Sequence, residues 1–233
     1  MFKRTGKRQI RFYLFFAGGL IVCHLLPRLG IINPYIQDVI KYIGINIILA
    51  LSLNLINGYM GEFSVGHAGF MAVGAYVASI LTVRAFPDNL TLNVAGLALD
   101  FTTVLFPLAV LAGGIAAAFV GMIVAFPSFK TRGDYLAIVT LAFNMIVKSA
   151  IENIDTIGGA RGLLGMRRLT SLPWVFFWTV LSVWIIRNLI YSNYGRGLLS
   201  IREDEIASEL MGVHTKRVKL FAFVISSFFA GIA

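Results

Sequence analysis

The sequence predicts an all-α protein, a polytopic bundle of transmembrane helices. Three observations carry this. The 233-residue chain is 58% hydrophobic and only 13% charged, where a soluble domain is about 45–50% apolar and about 25% charged. Its mean hydropathy is +0.83. It also contains repeated charge-free apolar windows near the ~20 residues a helix needs to cross the hydrocarbon core. Length alone would admit one or two soluble domains, but these windows overrule that prior. The net charge of +9 fits basic loops facing a cytoplasm. No aromatic-basic surface motif accompanies it, so nucleic acid is not an expected partner. The lone Cys23 cannot form an internal disulfide.

In chain order, residues 1–11 form a basic N-terminus with Lys3, Arg4, Lys7, Arg8 and Arg11. The membrane domain is expected over 12–233, with six complete spans and an incomplete seventh. The first window is Phe12 to Pro27. It could be a signal peptide, but no small-x-small cleavage site follows, and a retained signal anchor is the better reading. The second window is Tyr42 to Gly61, with a possible start near Tyr35. The third is Phe63 to Val83 and the fourth Phe101 to Phe129. The fifth, Tyr135 to Val147, is short and is expected to run past Lys148. The sixth is Leu169 to Ile186. The seventh starts at Leu220 and reaches Ala233 after 14 residues, too few to span, so a C-terminal truncation is expected.

Lys and Arg counts in the loops set the orientation. With the N-terminus in the cytoplasm, thirteen basic residues fall inside: the five N-terminal ones, Lys130, Arg132, Arg187, Arg196, Arg202, Lys216, Arg217 and Lys219. Six fall outside: Arg28, Lys41, Arg84, Arg161, Arg167 and Arg168. Lys148 is left near a helix end, where its stem can snorkel. The bias favours N-in.

Two features inside the windows invite interpretation. Gly113, Ala117 and Gly121 recur every four residues, with Gly114 and Ala118 beside them. Small residues on one face allow close helix approach in lipid, so this stretch reads as a packing seam. The segment GEFSVGHAGFMAVGAY is different: Gly61, Gly66, Gly69 and Gly74 are spaced five, three and five apart. Broken helices survive in membranes only where their freed backbone faces protein or a watery cavity. An ionisable residue at that depth marks a candidate functional site. One reading makes Ser64, Gly66, His67, Gly69 and Gly74 a helix break lining a translocation path. A second makes His67 a neutral histidine bonded to a neighbouring carbonyl. A third makes Ser64 and His67 a hydrolytic pair, although the spacing G-x-x-S-x-G is not the hydrolase elbow.

The remaining loops carry weaker signals. Arg132 and Asp134, flanking Gly133, read as a pair at a helix entrance. Asp155 to Leu164, with Gly158, Gly159 and Gly162, reads as a turn that could also meet an extracytoplasmic binding protein. The three histidines and one cysteine show no metal-ligand spacing.

The loop 187–219 is the most informative. In NYGRGLLSIREDEIASELMGVHTKRVK, Ser200 and Glu203 have capping-box spacing. Glu203, Asp204 and Glu205 would then occupy a first turn favoured by the helix dipole. Ile206, Ala207, Leu210 and Met211 fall on one face, and Gly212 is a natural stop. A helix lying on lipid carries a cationic polar face; this one is acidic. Docking into a groove on a partner protein uses both its features.

The stretch GRGLLSIREDEIASELMG closely resembles the cytoplasmic loop of ATP-binding-cassette importer permeases of the branched-chain amino acid class, LivM type. LNLINGYMGEFSVGHAGFMAVGAY, RGDYLAIVTLAF, IGGARGL and the final KLFAFVISSFFAGIA resemble the same family in the same order, from about residue 40 to 233. The resemblance implies a coupling helix seated in a cleft of an ATP-hydrolysing subunit, with Glu203, Asp204, Glu205, Ala207 and Gly212 as contact and shape residues. It implies further partners: a second, homologous permease subunit in a heterodimer and an extracytoplasmic substrate-binding protein. It also implies a prokaryotic inner membrane and a substrate among branched-chain or related amino acids, with urea or another small solute as alternatives. The chain has no G-x-x-x-x-G-K-[ST] phosphate loop; Gly6-Lys7 lacks the upstream glycine. ATP and Mg are therefore expected on the partner, and no cofactor or enzymatic activity is expected in this chain. The competing readings are an intramembrane serine hydrolase and a carrier that works without ATP.

Overall fold

The computed structural model describes residues 18–20, 22, 23, 25, 33–85, 91–94, 97–128, 135–166 and 168–233. Of the expected first span, only residues 18–20, 22, 23 and 25 are described, and they are helical. The N-terminal basic cluster, Gly6-Lys7, Arg28, Lys130, Arg132, Gly133, Asp134 and Arg167 lie outside the described residues.

The fold is all-α apart from one short hairpin. Helix α1 (Pro34–Asn54) opens with proline in its first turn, where a missing amide costs nothing. It widens into a π-helical turn, Leu55–Met60, that ends at Gly61 in the left-handed region, φ 77°. The window Phe63 to Val83, read as one helix from sequence, is not one: residues 61–65 are irregular and α2 (His67–Ile80) starts only at His67. The strands β1 (Thr91–Val94) and β2 (Leu97–Asp100) pair antiparallel with Thr91 opposite Asp100. Helix α3 (Phe101–Ser128) and helix α4 (Tyr135–Asn153) follow. After two 3₁₀ turns comes α5 (Leu172–Ile190). The chain then forms α6 (Asn193–Glu203), α7 (Glu205–Leu210) and α8 (Thr215–Ile232).

Among the described residues, Pro34–Met60, Leu105–Ser128, Leu136–Asn153 and Leu172–Ile190 are long and apolar enough to cross a membrane. Their outer surfaces suit that solvent. Ile115, Phe119 and Phe126 are exposed on α3, as are Ile138, Leu141 and Met145 on α4.

Lipid tails are as apolar as leucine, so packing and internal hydrogen bonds must hold such helices together. Helices α2, α3 and α8 pack closely on one another. A Cβ on Gly74 would fall onto the backbone of Gly231, and one on Gly113 would lie 2.6 Å from the Gly74 carbonyl oxygen. A Cβ on Gly121 would strike Ser227, and one on Gly231 would strike Ala117. Nearer the α6–α7 end, Phe70 stacks on Phe143 at 5.0 Å and meets Phe223 edge-on at 5.6 Å. Buried hydroxyls bond within their own helices, as Ser182 does to Trp178 O and Ser227 to Phe223 O. Helix α5 lies along α1, where Thr179 Oγ1 donates to Gly44 O.

Candidate functional site

The break between α1 and α2 leaves amides without helical partners, and the protein supplies them. Glu62 N donates to Ile56 O at 3.3 Å, Ser64 N to Asn57 Oδ1 at 3.1 Å, and Val65 N to Thr140 Oγ1 at 3.1 Å. Thr140 donates its own hydrogen to Ala137 O. Three amides of the irregular segment are thus satisfied by α4 and the π-helical turn, as non-helical backbone at membrane depth requires.

The sequence-picked residues here occupy two faces. A Cβ on Gly66 would crowd Thr140, and one on Gly69 would crowd Phe143 and Asn144; both glycines let α2 approach α4. Gly74 and His67 face α8. His67 is buried, and its Nε2 lies 3.0 Å from Ser226 Oγ. Ser226 spends its single hydrogen on the Ser52 carbonyl, so its oxygen can only accept from the imidazole. That assigns the Nε2–H tautomer and leaves Nδ1, which has no partner among the described residues, as a bare acceptor. The histidine therefore bonds a serine that relays to a carbonyl rather than the carbonyl itself. Ser64 Oγ is also buried without a partner among the described residues; it and His67 are not hydrogen-bonded to each other.

A cavity of about 480 Å³ opens between α1, α2, α3, α5 and the end of α8. Tyr42, Asn46, Ser79, Phe106, Trp174 and Trp178 line it, and the buried Trp178 Nε1 has no partner among the described residues.

The loop 187–219 folds differently from its sequence reading. Ser200 and Glu203 do not form a capping box. Ser200 lies inside α6, donating Oγ to Gly197 O at 2.9 Å, and Glu203 ends that helix, its carboxylate on Arg202 at 2.7 Å. Asp204 takes the capping role. It leaves the helix with extended backbone, φ −158°, and its Oδ1 accepts from Ile206 N at 2.9 Å and Ala207 N at 3.0 Å. Two satisfied amides at one carboxylate outweigh continuing a single helix past Glu203. Gly212, at φ 85°, closes α7 with no atom near its missing Cβ; its role is conformational. The apolar residues of α7 point away from the bundle: Ile206 is 63% exposed, Leu210 83% and Met211 85%.

Three participants escaped sequence reasoning: Lys219, Glu62 and Arg202. Lys219 Nζ bonds both Glu62 and Glu205, at 2.7 and 2.9 Å. Burial of Lys219, ahead of the apolar run of α8, pulls its pKa down, but the hydrogen bonds and charges of Glu62 and Glu205 outweigh this and raise it. Arg202 Nη1 donates to Gly58 O at 3.2 Å. From sequence, Glu62 only separates two apolar windows. A lone carboxylate between such windows, however, demands a cation, and that signal was available.

Residues 35–233 match the family model described as branched-chain amino acid transport system / permease component. The chain is 33% identical, over 231 aligned residues, to the high-affinity branched-chain amino acid transport system permease protein LivM of Escherichia coli K12. It is equally similar to the LivM of Salmonella typhimurium. Each alignment covers 84% of this chain and 50% of the relative, so the chain spans about half the length of these relatives. No solved structure matches significantly. Apolar helices of spanning length, a hydrogen-bonded break after the first of them and a family match from residue 35 onward agree: the chain belongs to the permease components of branched-chain amino acid transport systems.

Proposed function

We propose that this chain is the membrane subunit of an ATP-driven importer, coupling nucleotide hydrolysis on a partner to alternating access in the bundle. The observation that carries the reading is α7. It is short and acid-capped, and it presents Ile206, Leu210 and Met211 to the outside while its own fold is complete. An apolar face with an acidic collar suits a groove on another protein, and on this reading, which the family resemblance supports, that protein is the ATPase subunit. The N-terminus faces the cytoplasm of a prokaryotic inner membrane, and α7 lies on the same side. A second permease subunit and an extracytoplasmic binding protein complete the assembly.

The substrate is a branched-chain or related amino acid. The cavity under Tyr42 and Trp178 supports this, because aromatic walls suit an aliphatic side chain and Asn46 and Ser79 offer a few polar groups. Ser64, Gly66, His67, Gly69 and Gly74 place a helix break beside the route.

The test is the double substitution Leu210→Ser with Met211→Ser. Burying each apolar side chain contributes about 1.5–3 kcal/mol. The variant should insert normally, yet retain at least tenfold less ATPase subunit when extracted in mild detergent. Wild-type retention would reject α7 as the docking element.

A further inference from the structure

Two regions described above, the α1–α2 break and the docking helix, meet at one cation. Lys219 Nζ lies 2.7 Å from Glu62 Oε1 and 2.9 Å from Glu205 Oε1. Glu62 belongs to the irregular segment five residues before His67, and Glu205 is the first residue of α7. The Lys219 side chain is only 7% exposed, that of Glu62 19% and that of Glu205 41%. A buried ammonium is tolerated only when paired. One carboxylate would satisfy that need and tie Lys219 to one element. Two, from elements far apart in sequence, make it a bridge.

A second tie runs beside the first. Arg202, at the end of α6, donates to the Gly58 carbonyl inside the π-helical turn. Its aliphatic stem covers Gly61, where a Cβ would lie 2.6 Å from Arg202 Cγ. The elbow between α6 and α7 is therefore fastened to the π-helical turn and to the first residues of the break. Ile206 and Leu210 of α7 face outward while Ser208 faces inward, so a partner seated on the outer face lies beside Glu205.

We propose that Lys219 is a positioning residue that transmits displacement of α7 to the α1–α2 break, and so to the His67–Ser226 contact. The two arms differ in role. The sheltered Glu62 arm stays closed, whereas the more exposed Glu205 arm releases and re-forms as α7 moves, because water competes best for exposed pairs. Such a link couples two sites only if both bias the same element; here that element is the break, held by Glu62 from one side and by Asn57 and Thr140 from the other. The inference rests on reading α7 as the ATPase-docking helix.

The experiment uses the transport assembly extracted from its native membrane and reconstituted in vesicles, carrying Lys219→Met, Glu62→Gln or Lys219→Arg. Three quantities are read: ATPase subunit retained, ATP hydrolysed, and labelled leucine taken up. We expect Lys219→Met to retain the ATPase subunit while leucine moved per ATP falls about tenfold. Lys219→Arg, which can keep both ion pairs, should recover most of that ratio. Glu62→Gln, which leaves Lys219 paired to Glu205, carries the test if Lys219→Met fails to insert, and should lower the same ratio. A wild-type ratio in Lys219→Met, or in Glu62→Gln, with the ATPase subunit retained, overturns the link and leaves the docking reading intact. A wild-type assembly that retains no ATPase subunit overturns both.

Discussion

At the scale of single residues, space and capping decide most outcomes. Gly74 sits where α2 touches the Gly231 backbone, which cannot yield as a flexible side chain could. Gly74→Val should therefore separate the helices and cost about 1–3 kcal/mol, read as a lower midpoint in thermal unfolding of the detergent-solubilised protein. Asp204 offers a cleaner separation of roles. Asp204→Ala removes the acceptor for two amides, which should cost about 1 kcal/mol and speed hydrogen exchange at Ile206 and Ala207. Asp204→Asn keeps the acceptor and should leave exchange there unchanged. Sequence made these residues only partly legible. The glycines at 74, 113 and 121 are visible as small, but their partners on α8 lie more than a hundred residues away. At Asp204, Ser200-x-x-Glu203 and Asp204 itself are rival caps, and local spacing cannot rank them. The outcome depends on α6 running back to Asn193.

At the scale of elements, the segment between α1 and α2 is the test case. Its glycines and histidine mark it in the sequence as unlike a plain span. The sequence does not show how the break is satisfied, since the acceptors are Asn57 on the π-helical turn and Thr140 on α4. Thr140→Val should remove the partner of the part-buried Val65 amide, at a cost of about 1 kcal/mol. Val65 should then exchange its amide hydrogen faster while the core of α3 remains protected. An unchanged rate at Val65 would mean that the Thr140 hydroxyl does not hold the break. The elements that sequence renders best are α3 and α5, whose charge-free windows differ from the observed helices by a few residues. The hairpin Thr91–Asp100 shows the opposite case: eight paired residues in a loop between helices leave no periodic signal long enough to read.

At the scale of the whole molecule, composition announces the solvent and the helical class, but not which helices touch. The pairing of α8 with α2 and α3 could not be derived from hydropathy, because every apolar face looks alike to lipid. That pairing has a mechanical consequence. Where Gly74, Gly113 and Gly231 converge, three rods cross backbone to backbone. Toward the α6–α7 end, Phe70, Phe143 and Phe223 mesh tightly. The crossing therefore sets a separation that only glycine permits, and a side chain added there would wedge the three rods apart beside the cavity lined by Tyr42 and Trp174.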